Sequence, residues 1–233
     1  MSKISETVII VAGGSGSRMQ SALPKQFILL AGEPILMHTI RQFYNYNPAI
    51  ETVVVLPEKE IPFWQQQCEK LHFKIPHKIV TGGASRFQSV KNGLAAVEGK
   101  GVIAVHDGVR PFVPQNVIAD AFKTAKEKGN AVVSVALKDS IRRVTANQNQ
   151  AADRNQFRLI QTPQCFKAEL LKQAYELSED NTFTDDASVV EKLGEKIILT
   201  EGSYENIKIT TPEDLLWAEV LLKNKIVNEN REA

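Results

Sequence analysis

From Thr7 the chain reads TVIIVAGGSGSRM, a β-branched run that ends in the glycine-rich stretch Ala12-Gly13-Gly14-Ser15-Gly16-Ser17-Arg18-Met19. A turn of this kind directly after a strand leaves backbone N–H groups without strand partners, and such groups can face the oxygens of a phosphate. The stretch lacks the G-x-x-x-x-G-K-[ST] pattern, and Met19 stands where a dinucleotide fingerprint needs its third glycine. A glycine turn is most often only a turn. What makes this one a candidate site is the pair of cations beside it. Arg18 lies in the stretch itself, and Lys25 lies in Leu23-Pro24-Lys25-Gln26-Phe27, where the proline stiffens the approach and the lysine can reach the same phosphates. Phosphoryl and nucleotidyl transfer leave a protein mainly positioning and charge stabilisation to supply, so fixed cations next to an anion cradle are the relevant chemistry.

A second constellation, His106-Asp107-Gly108-Val109-Arg110-Pro111, follows the strand-like VIAVH. That places Asp107 and Arg110 at the carboxyl end of a strand, where open α/β sheets bind ligands. Asp107 can bind Mg²⁺ directly or through water, or accept hydrogen bonds from substrate hydroxyls. Alternatively, Asp107 and Arg110 pair with each other. His106 is isolated, lacks metal-ligand spacing and reads as a packing or orienting residue. Gly82-Gly83-Ala84-Ser85-Arg86, with Ser89 beyond it, opens a helix with free amides and hydroxyls that can meet a base or ribose. A simple helix cap explains the glycines and Ser85 equally well, but not Arg86. Further along, Arg154, Thr162, Thr184 and Lys208 are polar groups at element ends. Lys208 sits in the apolar stretch Asn206-Ile207-Lys208-Ile209-Thr210, read as a short strand, and a lysine there needs an anionic partner.

The elements that must hold these residues follow from periodicity. Thr7 to Ala12 reads as a strand buried on both faces and central in its sheet. Other strands are expected at Glu51 to Leu56, Lys78 to Val80, Val102 to His106, Ala131 to Val135 and Lys196 to Leu199. Helices are expected at Pro34 to Tyr44, Glu58 to Leu71, Ser85 to Val97, Gln115 to Lys128, Lys167 to Leu177 and Asp185 to Leu193. This alternation predicts an α/β fold with a mainly parallel sheet and helices on both faces. A final helix is punctuated by Thr211 as N-cap, Pro212 at its first position and Asp214 in a capping-box-like place. Residues 138 to 158 break the rhythm. Polar and rich in Asn, Gln and Arg, they read as a protruding β-hairpin arm with strands at Ile141 to Val144 and Phe157 to Ile160 around the turn ANQNQAAD. Such a hairpin cannot bury itself, so it either packs on a second subunit or is a flexible surface excursion.

A chain of 233 residues suits one α/β domain with an added arm, residues 1 to 233 forming a single unit. Lys and Arg number 28 against 27 Asp and Glu, which gives no bulk attraction to nucleic acid or membrane. The N-terminal apolar run is too short for a signal h-region or a membrane span. Two distant cysteines, Cys68 and Cys165, suggest neither a disulfide framework nor a thiolate zinc site, and a reducing, cytoplasmic setting fits them.

The ordered stretches AGGSGSRM, LPKQF, GGASRFQSV, HDGVRPF, LKDSIRRV, DRNQFRLIQTPQCF, TDDASVVEKLG and ENIKITTPEDL resemble the 2-C-methyl-D-erythritol 4-phosphate cytidylyltransferase family along nearly the whole chain. The first stretch alone marks only the wider nucleotidyltransferase group. The resemblance implies a Rossmann-like nucleotidyltransferase fold whose arm crosses to a partner in a homodimer. It implies an in-line attack of the acceptor phosphate on the α-phosphorus of CTP, with Mg²⁺ on the triphosphate and pyrophosphate leaving. Arg18 and Lys25 match the residues that stabilise the transition state, and Arg154, from the neighbouring subunit, and Lys208 match those that position the acceptor. Ala12, Gly13, Gly14, Ser15 and Gly16, with Gly82, Gly83, Arg86 and Ser89, form the expected nucleotide side. Asp107, Arg110, Ser140, Thr162 and Thr184 form the expected acceptor side, with Asp107 also facing the metal. The spelling departs from the family at AGG in place of two alanines before a glycine, at Gly108 in place of alanine, and at Ser140 in place of threonine. The AGG spelling is common in ribitol-5-phosphate cytidylyltransferases, so ribitol 5-phosphate is the second acceptor to test, whereas DRNQFRLIQTPQ resembles the methylerythritol enzymes. A non-catalytic nucleotide-binding protein is a third reading, against which stand both Arg18 and Lys25.

Overall fold

The computed structural model describes residues 5–14, 19 and 23–232. In chain order its first elements are β1 (Glu6–Val11), β2 (Leu29–Leu30), β3 (Glu33–Pro34), α1 (Ile35–Tyr46), β4 (Glu51–Leu56) and α2 (Ile61–Lys70). Next come β5 (Lys78–Thr81), α3 (Arg86–Ala95), β6 (Val102–Asp107), α4 (Gln115–Lys128) and β7 (Asn130–Ala136). The remainder are β8 (Ile141–Val144), β9 (Asn149–Ala152), β10 (Arg158–Lys167), α5 (Ala168–Ala174), α6 (Asp186–Glu191), β11 (Leu199–Glu201) and α7 (Pro212–Glu232).

Seven strands form one sheet in the order β11-β7-β10-β6-β1-β4-β5. β1 pairs parallel with both β4 and β6, and β10 runs against both β6 and β7. β1 is therefore interior, and Val8, Ile9 and Ile10 are fully buried because each face of the strand meets a different layer. Val8 and Ile10 point to a core closed by Leu36, Met37, Ile40 and Phe43 of α1 and by Ile118, Ala121 and Phe122 of α4. Ile9 points to the opposite core, closed by Val90 and Leu94 of α3, Leu171 of α5 and Val189 and Val190 of α6. Burying each such side chain contributes about 1.5–3 kcal/mol, so the strand carrying the glycine turn is firmly placed from both sides. A third, smaller cluster joins Val109, Phe112 and Ile209 to Ala218 of α7.

The structure departs from the sequence expectations at four places. The last strand begins at Leu199 rather than Lys196, because the side chain of Asn130 takes over the ladder ahead of it: its Nδ2 donates to Lys196 O (3.1 Å) and its Oδ1 accepts from Ile198 N (2.8 Å). The arm is a hairpin, but its second strand is β9, which lies inside the segment read as turn, and the actual turn closes with Thr145 N donating to Gln148 O. Arg158, Leu159 and Ile160 instead pair with Ala136, Val135 and Ser134 of the main sheet, since they start the long strand β10. Asn206 to Thr210 is not a strand; its main chain is fastened by Ile209 N donating to Val109 O at 2.9 Å. Helix α5 starts at Ala168 rather than Lys167 because β10 runs through Lys167, and it ends at Ala174 rather than Leu177, where Tyr175 closes it as a turn. Among the described residues no helix is long and apolar enough to cross a membrane.

Candidate active site

Parallel strands β1, β4 and β6 end together, with Val11 opposite both Val55 and Asp107. The chain leaves β1 into the glycine turn while Ala12 N still donates to Val55 O at 3.0 Å, which keeps Ala12, Gly13 and Gly14 at the mouth of the sheet. Ser15, Gly16 and Arg18 lie outside the described residues. Across from Gly14, Lys25 sits on a single 3-10 turn, Lys25–Phe27. Phe27 anchors that turn in the core against Phe63 (ring centroids 5.1 Å apart) and Trp64 (6.1 Å), and Gln26 Nε2 donates to Glu60 Oε2 at 2.6 Å. A side chain on Gly14 would bring its first carbon within 3.1 Å of Lys25 Cε, so glycine there is what lets the lysine lie across the turn.

A cavity of about 240 Å³ is bounded by Ala12, Gly13 and Gly14 on one side, by Lys25, and by Gly83 to Arg86 with Ser89 on the other. Beside it is a second cavity of about 280 Å³, bounded by Arg110, by Gln161, Thr162 and Gln164 of β10, and by Thr184 and Asp185. Arg86, Asp107 and Lys208 line both. Such dimensions fall near the range of small-ligand sites, ~300–1,000 Å³, and the division into two compartments suits a pair of reactants.

The wall between the compartments is an ion cluster. Asp107 Oδ2 accepts from Arg110 Nε at 3.0 Å and pairs with Lys208 Nζ at 3.1 Å. Lys208 has the anionic partner expected of it although its stretch is not a strand and its side chain is partly exposed, and the alternative of an Asp107–Arg110 pair is realised inside the site rather than away from it. Burial works against the charged carboxylate, but Lys208, Arg110 and Arg86 together outweigh it and hold Asp107 well below the usual carboxylate range. Arg86 is itself fixed by two hydrogen bonds to the fully buried Asp186, Nη1 to Oδ1 (3.0 Å) and Nη2 to Oδ2 (2.5 Å), and Tyr175 Oη donates to the same carboxylate at 2.7 Å. His106 is buried against the edge of Phe43, its Nε2 lies 3.2 Å from Arg110 O, and burial lowers its pKa to about 4. Neutral and enclosed, it orients the turn.

Of the residues expected on the nucleotide side, Ser89 lends its hydroxyl to the loop, accepting from Gly83 N at 3.1 Å and donating to Ser85 O at 2.8 Å. Ser85 caps α3 by accepting from Gln88 N. Gly82 stands behind the cavity wall, its N–H on Leu56 O. Of the residues expected on the acceptor side, Thr162 Oγ1 accepts from Asp107 N at 3.1 Å, presented by an irregularity in β10 between Ile160 and Gln164. Thr184 is set by its N–H on Ser188 Oγ, part of the capping box of α6, and Gln164 ties that cap to β10 through Asp185 Oδ2 (2.8 Å) and Ala187 N (2.9 Å). Ser140 and Arg154 lie exposed on the arm and line neither cavity; Arg154 Nη1 donates to Lys138 O. Gln26, Gln161, Gln164, Asp186 and Asn206 are buried polar residues that no local pattern marks, since their partners lie far away in the chain.

Among the described residues no group of three His, Cys, Asp or Glu side chains is placed to hold a metal ion. The contacts of Arg110 and Lys208 both fall on Oδ2 of Asp107, so a Mg²⁺ at this carboxylate would take its remaining oxygens from substrate phosphate and water.

Residues 7–224 match the family described as 2-C-methyl-D-erythritol 4-phosphate cytidylyltransferase (IspD). The chain belongs to this family. A relative of that name from Bacteroides fragilis is 48% identical over 216 residues, spanning 93% of this chain and 99% of its own. Another from Phocaeicola vulgatus is 46% identical over 215 residues, 92% of this chain and 98% of its own. Among solved structures, the 4-diphosphocytidyl-2C-methyl-D-erythritol synthase of Anaerococcus prevotii is similar with a TM-score of 0.81 at 27% identity, covering 94% of this chain and 96% of that one. The Francisella tularensis 2-C-methyl-D-erythritol 4-phosphate cytidylyltransferase gives 0.75 at 31% identity, covering 92% and 98%. The α/β nucleotidyltransferase fold expected from the sequence is the fold of these neighbours.

Proposed function

We propose that this chain transfers the cytidylyl group of CTP to 2-C-methyl-D-erythritol 4-phosphate and releases pyrophosphate, a step of isoprenoid precursor synthesis. The observation that carries the reading, beyond family membership, is the pair of adjoining cavities divided by Asp107, Arg86 and Lys208. In-line displacement needs the attacking and leaving oxygens on opposite sides of the α-phosphorus. An acceptor held by Arg110 and Thr184 in one compartment, facing a nucleotide held by the glycine turn and Lys25 in the other, meets that need. A phosphate oxygen of the acceptor forms the new bond to the α-phosphorus as the bond to the bridging oxygen breaks, and pyrophosphate carries away the electron pair. The acceptor phosphate, with a second pKa of about 6, is already largely ionised at neutral pH and needs no general base.

The work of the protein is electrostatic. Lys25 and Arg18 meet charge on the α-phosphate, and Lys208, placed on both compartments, offsets the repulsion between two anionic reactants. Asp107 is the carboxylate on the triphosphate side that would help hold a Mg²⁺ bound with the nucleotide, and such an ion would supply charge neutralisation there. Arg154 and Ser140 enter the acceptor side from the arm of a second copy in a homodimer. Cytoplasmic placement fits the two unpaired thiols, Cys68 and Cys165. Purified protein supplied with CTP, Mg²⁺ and 2-C-methyl-D-erythritol 4-phosphate is expected to release pyrophosphate. Release with ribitol 5-phosphate alone would reassign the acceptor, and release with neither would leave a nucleotide-binding protein.

A further inference from the structure

Asn206 lines neither cavity, yet its side chain and main chain hold the acceptor compartment together. It is fully buried, and Nδ2 donates to Thr162 O at 2.8 Å and to Gln161 Oε1 at 3.2 Å. Its main-chain O accepts from Arg110 Nη1 at 2.7 Å. Arg110 Nε donates to Asp107 Oδ2, and Asp107 N donates to Thr162 Oγ1, which closes a ring of four residues: Asn206, Arg110, Asp107 and Thr162. Three separate stretches of chain, the end of β6, the irregular part of β10 and the segment before α7, are locked to one another by this ring. Lys208, two residues after Asn206, reaches the same Oδ2 of Asp107, so the ring also sets where its ammonium stands.

The chemistry of the amide is specific. Asn206 Nδ2 makes two hydrogen bonds while its buried Oδ1 makes none among the described residues, so the donor end orients the side chain. A buried amide with an unmatched oxygen is a costly way to fill space, whereas a donor aimed at the Thr162 carbonyl is a means of fixing geometry. We infer that Asn206 is a positioning residue for the acceptor, acting through Arg110 and Lys208, an inference that rests on the transferase reading above. It places two cations against the acceptor phosphate; Lys208 and Asp107 also border the nucleotide cavity, but the glycine turn, Lys25 and α3, which make up most of that cavity's wall, lie outside the ring.

Asn206→Asp keeps the shape and the main-chain bond to Arg110 but turns an acceptor oxygen toward Thr162 O; Asn206→Ser removes the reach. In full-length protein with an unchanged melting profile, kcat/KM for the acceptor is expected to fall about 30-fold, as a displacement near 1 Å can cost up to about a hundredfold. The dissociation constant for CTP, measured calorimetrically without acceptor, stays within about threefold, because most of the residues around the nucleotide cavity, the glycine turn, Lys25 and Gly83 to Ser89, are held by contacts other than those of Asn206. In an Arg110→Lys background the further loss from Asn206→Ser shrinks to under about threefold, since both changes remove one interaction chain. Unchanged acceptor kinetics, equal losses for CTP and acceptor, or full additivity with Arg110→Lys would each overturn the inference. So would failure of both variants to fold, which would make Asn206 a purely structural residue. A wild-type protein without transfer activity defeats the functional reading as well, whereas active wild type with unaffected variants defeats this inference alone.

Discussion

Lys25 opens the 3-10 turn that Phe27 anchors against Trp64, and its side chain runs close past Gly14, so the fold fixes where this cation stands relative to the glycine turn. A cation held where charge accumulates lowers the barrier more than it tightens ground-state binding. Lys25→Ala is therefore expected to lower kcat and kcat/KM together by about 10²–10³, while CTP affinity changes little. A raised KM with unchanged kcat would place the lysine in ground-state binding instead. His106 supplies a prediction of another kind. Burial, the largest influence, lowers its pKa to about 4 from 6.5; Arg110 O and Asp107 oppose the shift, and the Arg110 and Lys208 charges add to it. Its folded form stays neutral where the unfolded chain takes up a proton, so this contribution is complete above pH 6.5 and is lost as pH falls from 6.5 toward 4. Between pH 7 and pH 5 it costs about 2 kcal/mol of unfolding free energy, which urea titrations at the two pH values would register. His106→Gln should flatten that difference; an equally steep loss in the variant would assign it to other groups. These residues were legible because each lies beside a short local pattern. Asp186 was not, since its partner Arg86 lies 100 positions away and nothing local marks the pair.

Elements were legible where burial alone sets the pattern. β1 and β4 read as continuous apolar runs because both their faces are covered, and the structure places them as expected. The pattern failed where side chains or partners from elsewhere decide. Asn130 substitutes for backbone in the pairing of residues 196 to 198, so apolar spelling there does not make a ladder strand. In the arm, Asn149 to Ala152 has turn-like composition but pairs because β8 lies opposite, while Phe157 to Ile160 is claimed by β7. The start of α7 is the opposite case, legible from three residues. Asp214 Oδ2 accepts from Thr210 N, Thr210 Oγ1 and Thr211 N at 2.8–2.9 Å, and Thr211 Oγ1 accepts from Asp214 N at 3.4 Å. Removing these acceptors in Asp214→Ala is expected to cost about 1 kcal/mol of unfolding free energy, the usual size of a lost helix cap. Asp214→Asn, which keeps an acceptor but loses the charge at the helix start, should cost less, about 0.3–1 kcal/mol. Urea unfolding of both variants gives the comparison, and an asparagine as damaging as alanine would show that charge rather than capping matters.

At the scale of the whole molecule, the arm is the feature that one copy leaves unexplained. Val144 is 74% exposed on it, Phe157, Leu159 and Ile160 at its base are also exposed, and Arg154 stands away from both cavities. An apolar base and an unburied hairpin are what a second copy would cover, and a twofold exchange of arms would bring each Arg154 to the partner's acceptor compartment. Deleting residues 139 to 158 should then yield a monomer by light scattering, with transfer activity lost. A sharper trial uses two full-length variants that are each inactive alone. In Arg154→Ala the site retains Lys25 but loses the arginine from across the interface; in Lys25→Ala the site is damaged while the arm stays sound. A mixed dimer of the two joins an intact Lys25 site to an intact Arg154 arm at one of its two sites. With random pairing half of the dimers are mixed, so co-expression of the two variants should restore about one quarter of wild-type activity, the share that arm exchange in a twofold dimer requires. If Arg154 served its own chain's site, no pairing could assemble a whole site from these two variants, and the mixture would stay as inactive as its components.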